Sequence, residues 1–271
     1  MKDLHVHSHY SDGGFSPTEI LKKADEAGLN TIALVDHDTI TGINEFLESG
    51  KVYPHIKKIV GCEFSAIASH ELHILALDVK NLNYMREWTS ELDTLSFEYA
   101  KAAAIYLNKI GIKTIYEDLI KDNIGSFGCL DITKYLVKRG IESDPITAYN
   151  KYIEKNEFLD KYDLKQTKEK IIPKIIEADG VSVLAHPKRT GFFDKTEFKK
   201  FLKSLVDLGL QGLECYYSTH TLEEVEFYLK CAKDFKLVVS GGSDFHYEGH
   251  PQRQLGYCCS KTMKIPDEIF L

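Results

Sequence analysis

The sequence predicts an α/β protein, a parallel barrel of about seven strands carrying a helical insertion. Three observations predict it. Short apolar runs alternate with helical patterns over residues 1–80. The same alternation resumes after residue 170. Between them, residues 81–169 read as helices with almost no strand signal. We therefore divide the chain into a barrel built from 1–80 and 170–271 and a helical insertion or cap at 81–169.

Residues 3–7 read as the first strand. Ser16-Pro17-Thr18-Glu19 then opens a helix, with Ser16 as N-cap, Pro17 at the first helical position and Glu19 closing a capping box. Ile20, Leu21, Ala24 and Ala27 supply its apolar face, and Gly28 ends it. Residues 31–35, 58–62 and 72–77 are the next strands. The insertion reads as helices at 85–109, stopped by Gly111, at 132–138 before Gly140, and at 148–156. Alternation then returns: helix 171–178, strand 181–185, helix 198–208, strand 212–215, helix 222–235 and strand 237–240.

A formal charge of −7 gives no general attraction to nucleic acid or anionic membrane. A phosphorylated substrate would need local positive charge, which bound cations can supply. No apolar run is long enough to cross a bilayer, and the first residues carry no secretory-signal pattern. The six cysteines contain no CxxC pair, so neither a thiolate zinc site nor a disulfide framework is indicated, and a cytoplasmic setting is expected.

Polar residues gather at the predicted strand ends. His5 and His7 end the first strand; Asp36, His37 and Asp38 follow the second; Glu63 follows the third. His186 follows the strand at 181–185, Glu214 lies in the next, and Asp244 and His246 follow the last. In a βα barrel all these ends open on one face. The fourth strand is an exception, because His73 lies near its start and would have to point inward. His5-x-His7 places two rings on one face of a strand. Imidazole and carboxylate together suit zinc, manganese or iron, and Glu63 is placed to bridge two cations. One such His is usually a core or surface residue, and HxH alone is weak. Desolvating the whole set together would be costly without cations.

The segments Asp3-Leu4-His5-Val6-His7 with Ser11-Asp12-Gly13, Val35-Asp36-His37-Asp38-Thr39, Gly61-Cys62-Glu63-Phe64-Ser65, His73-Ile74-Leu75, Ala185-His186-Pro187 and Gly242-Ser243-Asp244-Phe245-His246 resemble the polymerase and histidinol phosphatase (PHP) family. The Ser-Asp-Gly form of the first motif and the helical insert look most like its nucleotide phosphoesterase branch, which includes 3′,5′-nucleotide bisphosphate phosphatases and a 5′→3′ exoribonuclease. The resemblance implies a distorted (β/α)7 TIM-like barrel with two or three divalent metal ions (Mn²⁺, Fe²⁺ or Zn²⁺). By the same resemblance His5, His7, Glu63 and Asp244 would hold one metal, Glu63, His73 and His186 a second, and Asp12, His37 and His246 a third. The branch's Arg-x-His pair is missing from the aligned stretch Cys129-Leu130-Asp131-Ile132-Thr133-Lys134, so bisphosphate specificity is not assumed.

Other residues carry two readings each. Arg189, which also matches a family position, either grips a phosphate or is a solvated loop charge. His220 either contacts phosphate, donates a proton to the leaving group, or lies in a surface loop. Asp36 or Asp38 would orient an imidazole. His9 is taken as peripheral or exposed, Arg253 and His250 as polar-loop residues, His55 and His70 as exposed, and Tyr216-Tyr217 as packing or base-stacking residues.

The expected activity is metal-dependent hydrolysis of a phosphate monoester of a nucleotide or nucleotide bisphosphate, with a metal-bridging hydroxide as nucleophile. The alternatives are a histidinol-phosphate-type phosphatase, an exonuclease on short RNA or DNA, and a non-catalytic metal-binding accessory barrel. The expected partner is a small phosphorylated molecule, not a long nucleic acid or a membrane; the oligomeric state stays open.

Overall fold

A computed structural model describes residues 1–121, 123, 125–154, 156–162 and 165–269. Seven strands form one sheet in chain order: β1 (Lys2–Val6), β2 (Thr31–Leu34), β3 (Lys57–Ala66), β4 (Leu72–Leu77), β5 (Val181–Leu184), β6 (Gly212–Tyr217) and β7 (Val238–Gly242). The residues just beyond β7 return to β1. Val6 bridges Phe245 in parallel, and the His7 N–H donates to the Phe245 carbonyl at 3.0 Å. The sheet thus curls into a distorted α/β barrel.

The expectation of a wholly parallel barrel fails at one strand. β1–β2, β2–β3, β5–β6 and β6–β7 are parallel, but β4 runs antiparallel to both β3 and β5. The cause is the connection. A parallel crossover needs a dozen residues or more, whereas only residues 67–71 separate β3 from β4, so a hairpin is the available geometry. The reversal brings the start of β4 to the mouth formed by the carboxyl ends of the other strands.

The helix after β1 forms as its sequence dictates. In α1 (Pro17–Glu26) the Ser16 side chain accepts from the Glu19 N–H, and the Glu19 carboxylate accepts from the Ser16 N–H at 2.8 Å. Ile20, Leu21 and Ala24 are buried against the barrel, where each large apolar side chain contributes roughly 1.5–3 kcal/mol. Helix α2 (Ile43–Ser49) follows β2.

Helices α3 (Leu82–Lys109), α4 (Tyr116–Ile120), α5 (Cys129–Lys138), α6 (Pro145–Tyr152) and α7 (Lys168–Glu177) fill the stretch between β4 and β5. Packing changes along α3. Met85, Trp88 and Leu92 join the barrel core, and the Trp88 ring stacks on Phe64 of β3 at 4.0 Å between centroids. Tyr99, Ala103 and Leu107 instead join a separate core with Phe127, Ile132, Leu136 and Ala148. Helix α8 (Lys195–Asp207) precedes β6 and α9 (Leu222–Phe235) precedes β7. A terminal antiparallel pair, β8 (Tyr257–Cys258) with β9 (Met263–Lys264), is absent from the sequence reading. Among the described residues no helix is long and apolar enough to cross a membrane.

Candidate metal centre

All nine side chains expected to bind metal meet at the barrel mouth. His5 and His7 come from the end of β1 and the turn after it, Glu63 from β3, His73 from the reversed β4. His37, His186, Asp244 and His246 follow β2, β5 and β7, and Asp12 lies in the loop after β1. His73 needs no special orientation, because the antiparallel course of β4 puts its start at the mouth. Two of these positions hold unusual backbone: His186 at φ 27° and Asp244 at φ 55°. Non-glycine residues held with positive φ store about 1–3 kcal/mol, and such strain clusters at functional sites.

Glu63 is the hub. Its Oε2 lies 3.0 Å from His5 Nε2, 3.1 Å from His7 Nε2 and 3.4 Å from His37 Nε2. Its Oε1 lies 2.9 Å from His186 Nε2 and 3.0 Å from His73 Nδ1. Asp244 Oδ1 approaches His7 at 3.3 Å and His5 at 3.5 Å. Asp12 Oδ2 meets His246 Nε2 at 2.9 Å and His37 Nε2 at 3.9 Å. Ligand atoms of His5, His7, Glu63 and Asp244 thus cluster together, as do those of His7, Asp12, His37 and His246, and those of His37, Glu63 and His73.

Burial and mutual charge set the electrostatics. Burial pushes the Glu63, Asp12 and Asp244 carboxyls up, but the facing imidazoles hold all three well below the ordinary carboxylate range. Burial lowers His7, yet hydrogen bonds to Asp244 and Glu63 outweigh it and lift the ring to about 10. At His37 burial wins and carries the ring down to about 4.

The donor set fits divalent cations. His5 Nδ1–H donates to Glu214 at 3.0 Å, which turns the lone pair of Nε2 toward Glu63 and toward His7 Nε2 at 3.1 Å. His73 Nδ1 and His186 Nε2 face each other at 3.2 Å. Two imidazole lone pairs so close to each other and to carboxylate oxygens repel unless a proton or a cation lies among them. The buried Nδ1 atoms of His7, His37 and His186 have no hydrogen-bond partner. Nitrogen and carboxylate oxygen at this density are the ligand chemistry of Zn²⁺, Mn²⁺ and Fe²⁺.

Residues 3–164 match the model of the PHP domain. The chain belongs to the PHP family. It is 31% identical to a 5′-3′ exoribonuclease of Haemophilus influenzae, over 90% of this chain and 89% of that one. It is 26% identical to a 3′,5′-nucleoside bisphosphate phosphatase of Chromobacterium violaceum, over 94% and 90%. In three dimensions it superposes on a protein from Bifidobacterium adolescentis assigned as a metal-dependent phosphoesterase, with TM-score 0.79, 25% identity and coverage of 94% and 90%.

Around this PHP centre the structure assigns supporting roles that differ from the sequence reading. Neither Asp36 nor Asp38 orients an imidazole. Asp36 accepts from the Ser8 N–H and hydroxyl, both at 2.6 Å, and from Ser11 at 2.8 Å, which fixes the loop carrying Asp12. Asp38 accepts from the Ser65 N–H at 3.1 Å. The carboxylate that orients an imidazole is Glu214, which also accepts from the His186 N–H at 2.6 Å. A lone acid in the apolar strand Gly-Leu-Glu-Cys-Tyr-Tyr was the available signal. Arg253 is no loop bystander: its Nη2 lies 2.6 Å from Asp244 Oδ2, which also accepts from the Tyr217 hydroxyl at 2.6 Å. Tyr217 is therefore a buried positioning group for Asp244 and offers no face to a base.

Arg189 lies on the short turn Pro187–Thr190 and pairs with Glu71 at 2.6 Å. His220 stands apart from the cluster. Its Nδ1–H donates to the Cys215 carbonyl at 2.9 Å, its Nε2 is buried without a partner, and burial pushes the ring down to about 4. His9 is half-buried with its ring edge-on to Tyr10. His55 is exposed beside Asp25, and His70 is exposed.

Proposed function

We propose that this protein hydrolyses a phosphate monoester of a nucleotide at the barrel mouth. At the coarser level the chain is a metal-dependent phosphoesterase of the PHP family. The observation that supports the finer reading most is the convergence on Glu63: one carboxylate directs an oxygen to each of two groups of imidazoles.

In this reading His5, His7, Glu63 and Asp244 hold one cation, Glu63, His73 and His186 a second, and Asp12, His37 and His246 a third. Bound there, divalent cations would polarise a phosphoryl oxygen and make a water acidic enough at neutral pH to attack phosphorus. The protein's own groups do the rest. Glu214, Tyr217 and Arg253 hold His5 and Asp244 in one orientation. Arg189, at the rim, neutralises charge on the phosphate by exchanging its Glu71 contact for a phosphoryl oxygen. A sealed Nε2 cannot hand a proton to a leaving group, so His220 is read here as a packing residue against Tyr217 and Tyr228.

Residues 81–169 would act as a cap over this mouth. Two contacts support that. Gly125 lies so close to the Tyr10 carbonyl that a Cβ would overlap it, and the Asp131 carboxyl feels the charge of Asp12. Asp131 is raised by burial, partly offset by the Gly128 N–H. Its acidity so near the mouth disfavours a second phosphate, so a mononucleotide or a short 5′ end fits better than a bisphosphate. The net charge of −7 likewise disfavours long polymers. A reducing, cytoplasmic setting belongs to this reading through the cysteine pattern of the sequence, six residues with no CxxC pair.

The test is phosphate release by the Mn²⁺-loaded protein across mononucleotides, 3′,5′-bisphosphates, histidinol phosphate and short RNA. Nucleotide monoesters should turn over fastest. His5→Ala and Asp244→Ala should each lower turnover by at least about 10²-fold while circular dichroism stays unchanged. Full turnover in either variant, or a clear preference for histidinol phosphate, would overturn the reading.

A further inference from the structure

Glu71 lies outside every ligand set considered so far, yet its carboxylate faces two of the cluster's imidazoles. Glu71 Oε1 is 3.8 Å from His73 Nδ1 and 3.9 Å from His186 Nε2, and the three side chains form a ligand group of their own. Those two ring nitrogens also face Glu63 Oε1, at 3.0 and 2.9 Å, and each other, at 3.2 Å. Glu63 Oε1 and the two ring nitrogens therefore form a tight triangle, and Glu71 Oε1 lies 3.8 and 3.9 Å from two of its three corners.

The edge lengths can be compared with what one cation requires. Ligand atoms about 2.1 Å from a cation are roughly 3.0 Å apart at a right angle and about 3.4 Å apart at the tetrahedral angle. The three inner edges fall in that range. The two edges to Glu71 are longer by about half an ångström, on the side chain best able to move: Glu71 is 39% exposed, whereas Glu63 and His186 are buried. The same Glu71 Oε1 is paired with Arg189 Nη1 at 2.6 Å, so engaging the cation would mean leaving that pair.

The rival account is that Glu71 only serves Arg189, its partner at 2.6 Å. Arg189 is itself about a third exposed, and pairs of that kind contribute roughly 0–1 kcal/mol. Such a pair does not require the carboxylate to face two imidazole nitrogens as well.

We infer that Glu71 is a fourth protein ligand of the cation held by Glu63, His73 and His186. The inference rests on the reading that this cluster holds cations, and it adds a residue from the β3–β4 hairpin. With Glu71 engaged, that cation would have four protein ligands: Glu63, Glu71, His73 and His186. With Glu71 paired to Arg189, as at 2.6 Å here, three protein ligands would remain for that cation.

The test uses the full-length protein and zinc alone. Zinc content after dialysis and the dissociation constant of each zinc equivalent, by competition with a chromogenic chelator, are measured for wild type, Glu71→Gln, Glu71→Ala and Arg189→Met. Circular dichroism checks the fold of each. In both Glu71 variants one equivalent should bind at least about tenfold more weakly, with the others unchanged. Arg189→Met should leave that equivalent as tight or tighter, because it frees the carboxylate. Affinities within twofold of wild type in both Glu71 variants would overturn the assignment, as would equal weakening in Arg189→Met. Failure of wild type to retain any zinc would sink the cation reading itself, a different outcome from an unaffected Glu71 variant.

Discussion

His7 shows how burial and charge compete at a single residue. Its ring is sealed from solvent, which disfavours the charged form, yet Asp244 and Glu63 lift it to about 10. The sign of the consequence is fixed. In chelator-treated protein the ring carries its proton at neutral pH, and that proton stabilises the fold fully below the unfolded value of 6.5. The contribution fades as pH climbs toward 10. A cation must displace the proton to use the nitrogen. Metal binding at pH 7 should therefore release protons. Titration calorimetry of Zn²⁺ in buffers of different ionisation enthalpy measures the number, and a count of zero would contradict the electrostatics described for His7. Raising pH from 6.5 to 9 should also tighten metal binding.

At the scale of elements, the β3–β4 hairpin and the first half of α3 form one unit. Phe64 on β3 lies under Trp88 of α3, and the Trp88 N–H donates to Gln166 at 3.3 Å. Phe64 is the neighbour of Glu63, so this stack backs the strand that carries the hub carboxylate. Trp88→Ala removes a fully buried ring and should lower unfolding free energy by about 3–5 kcal/mol in urea denaturation. Metal affinity should fall with it, because β3 loses its support. A variant that unfolds like wild type would show that α3 packs elsewhere in solution. Gly242 makes a comparable point at the end of β7: a Cβ there would overlap His5. Gly242→Ala should displace His5 and reduce the metal content measured after dialysis.

For the whole molecule, the mouth gathers four carboxylates among the imidazoles, brought together from distant strands. Glu63, Asp12, Asp244 and Glu214 converge from the first, third, sixth and seventh strands or the loops after them. Cations bound among them would tie the two halves of the barrel across its mouth. Metal at a hundredfold excess over its dissociation constant stabilises by about 2.7 kcal/mol per site. For a chain of this size that corresponds to roughly 5–10 °C in melting temperature per site. Differential scanning calorimetry with Mn²⁺ and with EDTA should show a loss at least that large on chelation. Equal melting temperatures would mean that the cluster holds no cation tightly.

The sequence by itself determined the order and type of the barrel elements, the helical nature of residues 81–169, and the identity of the nine clustered side chains. Most follow from local rules: period-two and helical apolar patterns, the Ser16–Glu19 capping box, and polar residues placed at strand ends; Asp12 and His73 come instead from the motifs shared with the PHP family. Tertiary structure decided what depends on which distant groups meet. It reversed β4, so that His73 reaches the mouth. It made Glu214 rather than Asp36 or Asp38 the partner of His5. It set Arg253 and Tyr217 on Asp244, sealed His220 away, and put Glu71 beside His73 and His186. Local pattern reports which face a side chain takes, but burial and electrostatic pairing come from residues far apart in sequence, such as His5 and Glu214, 209 positions apart.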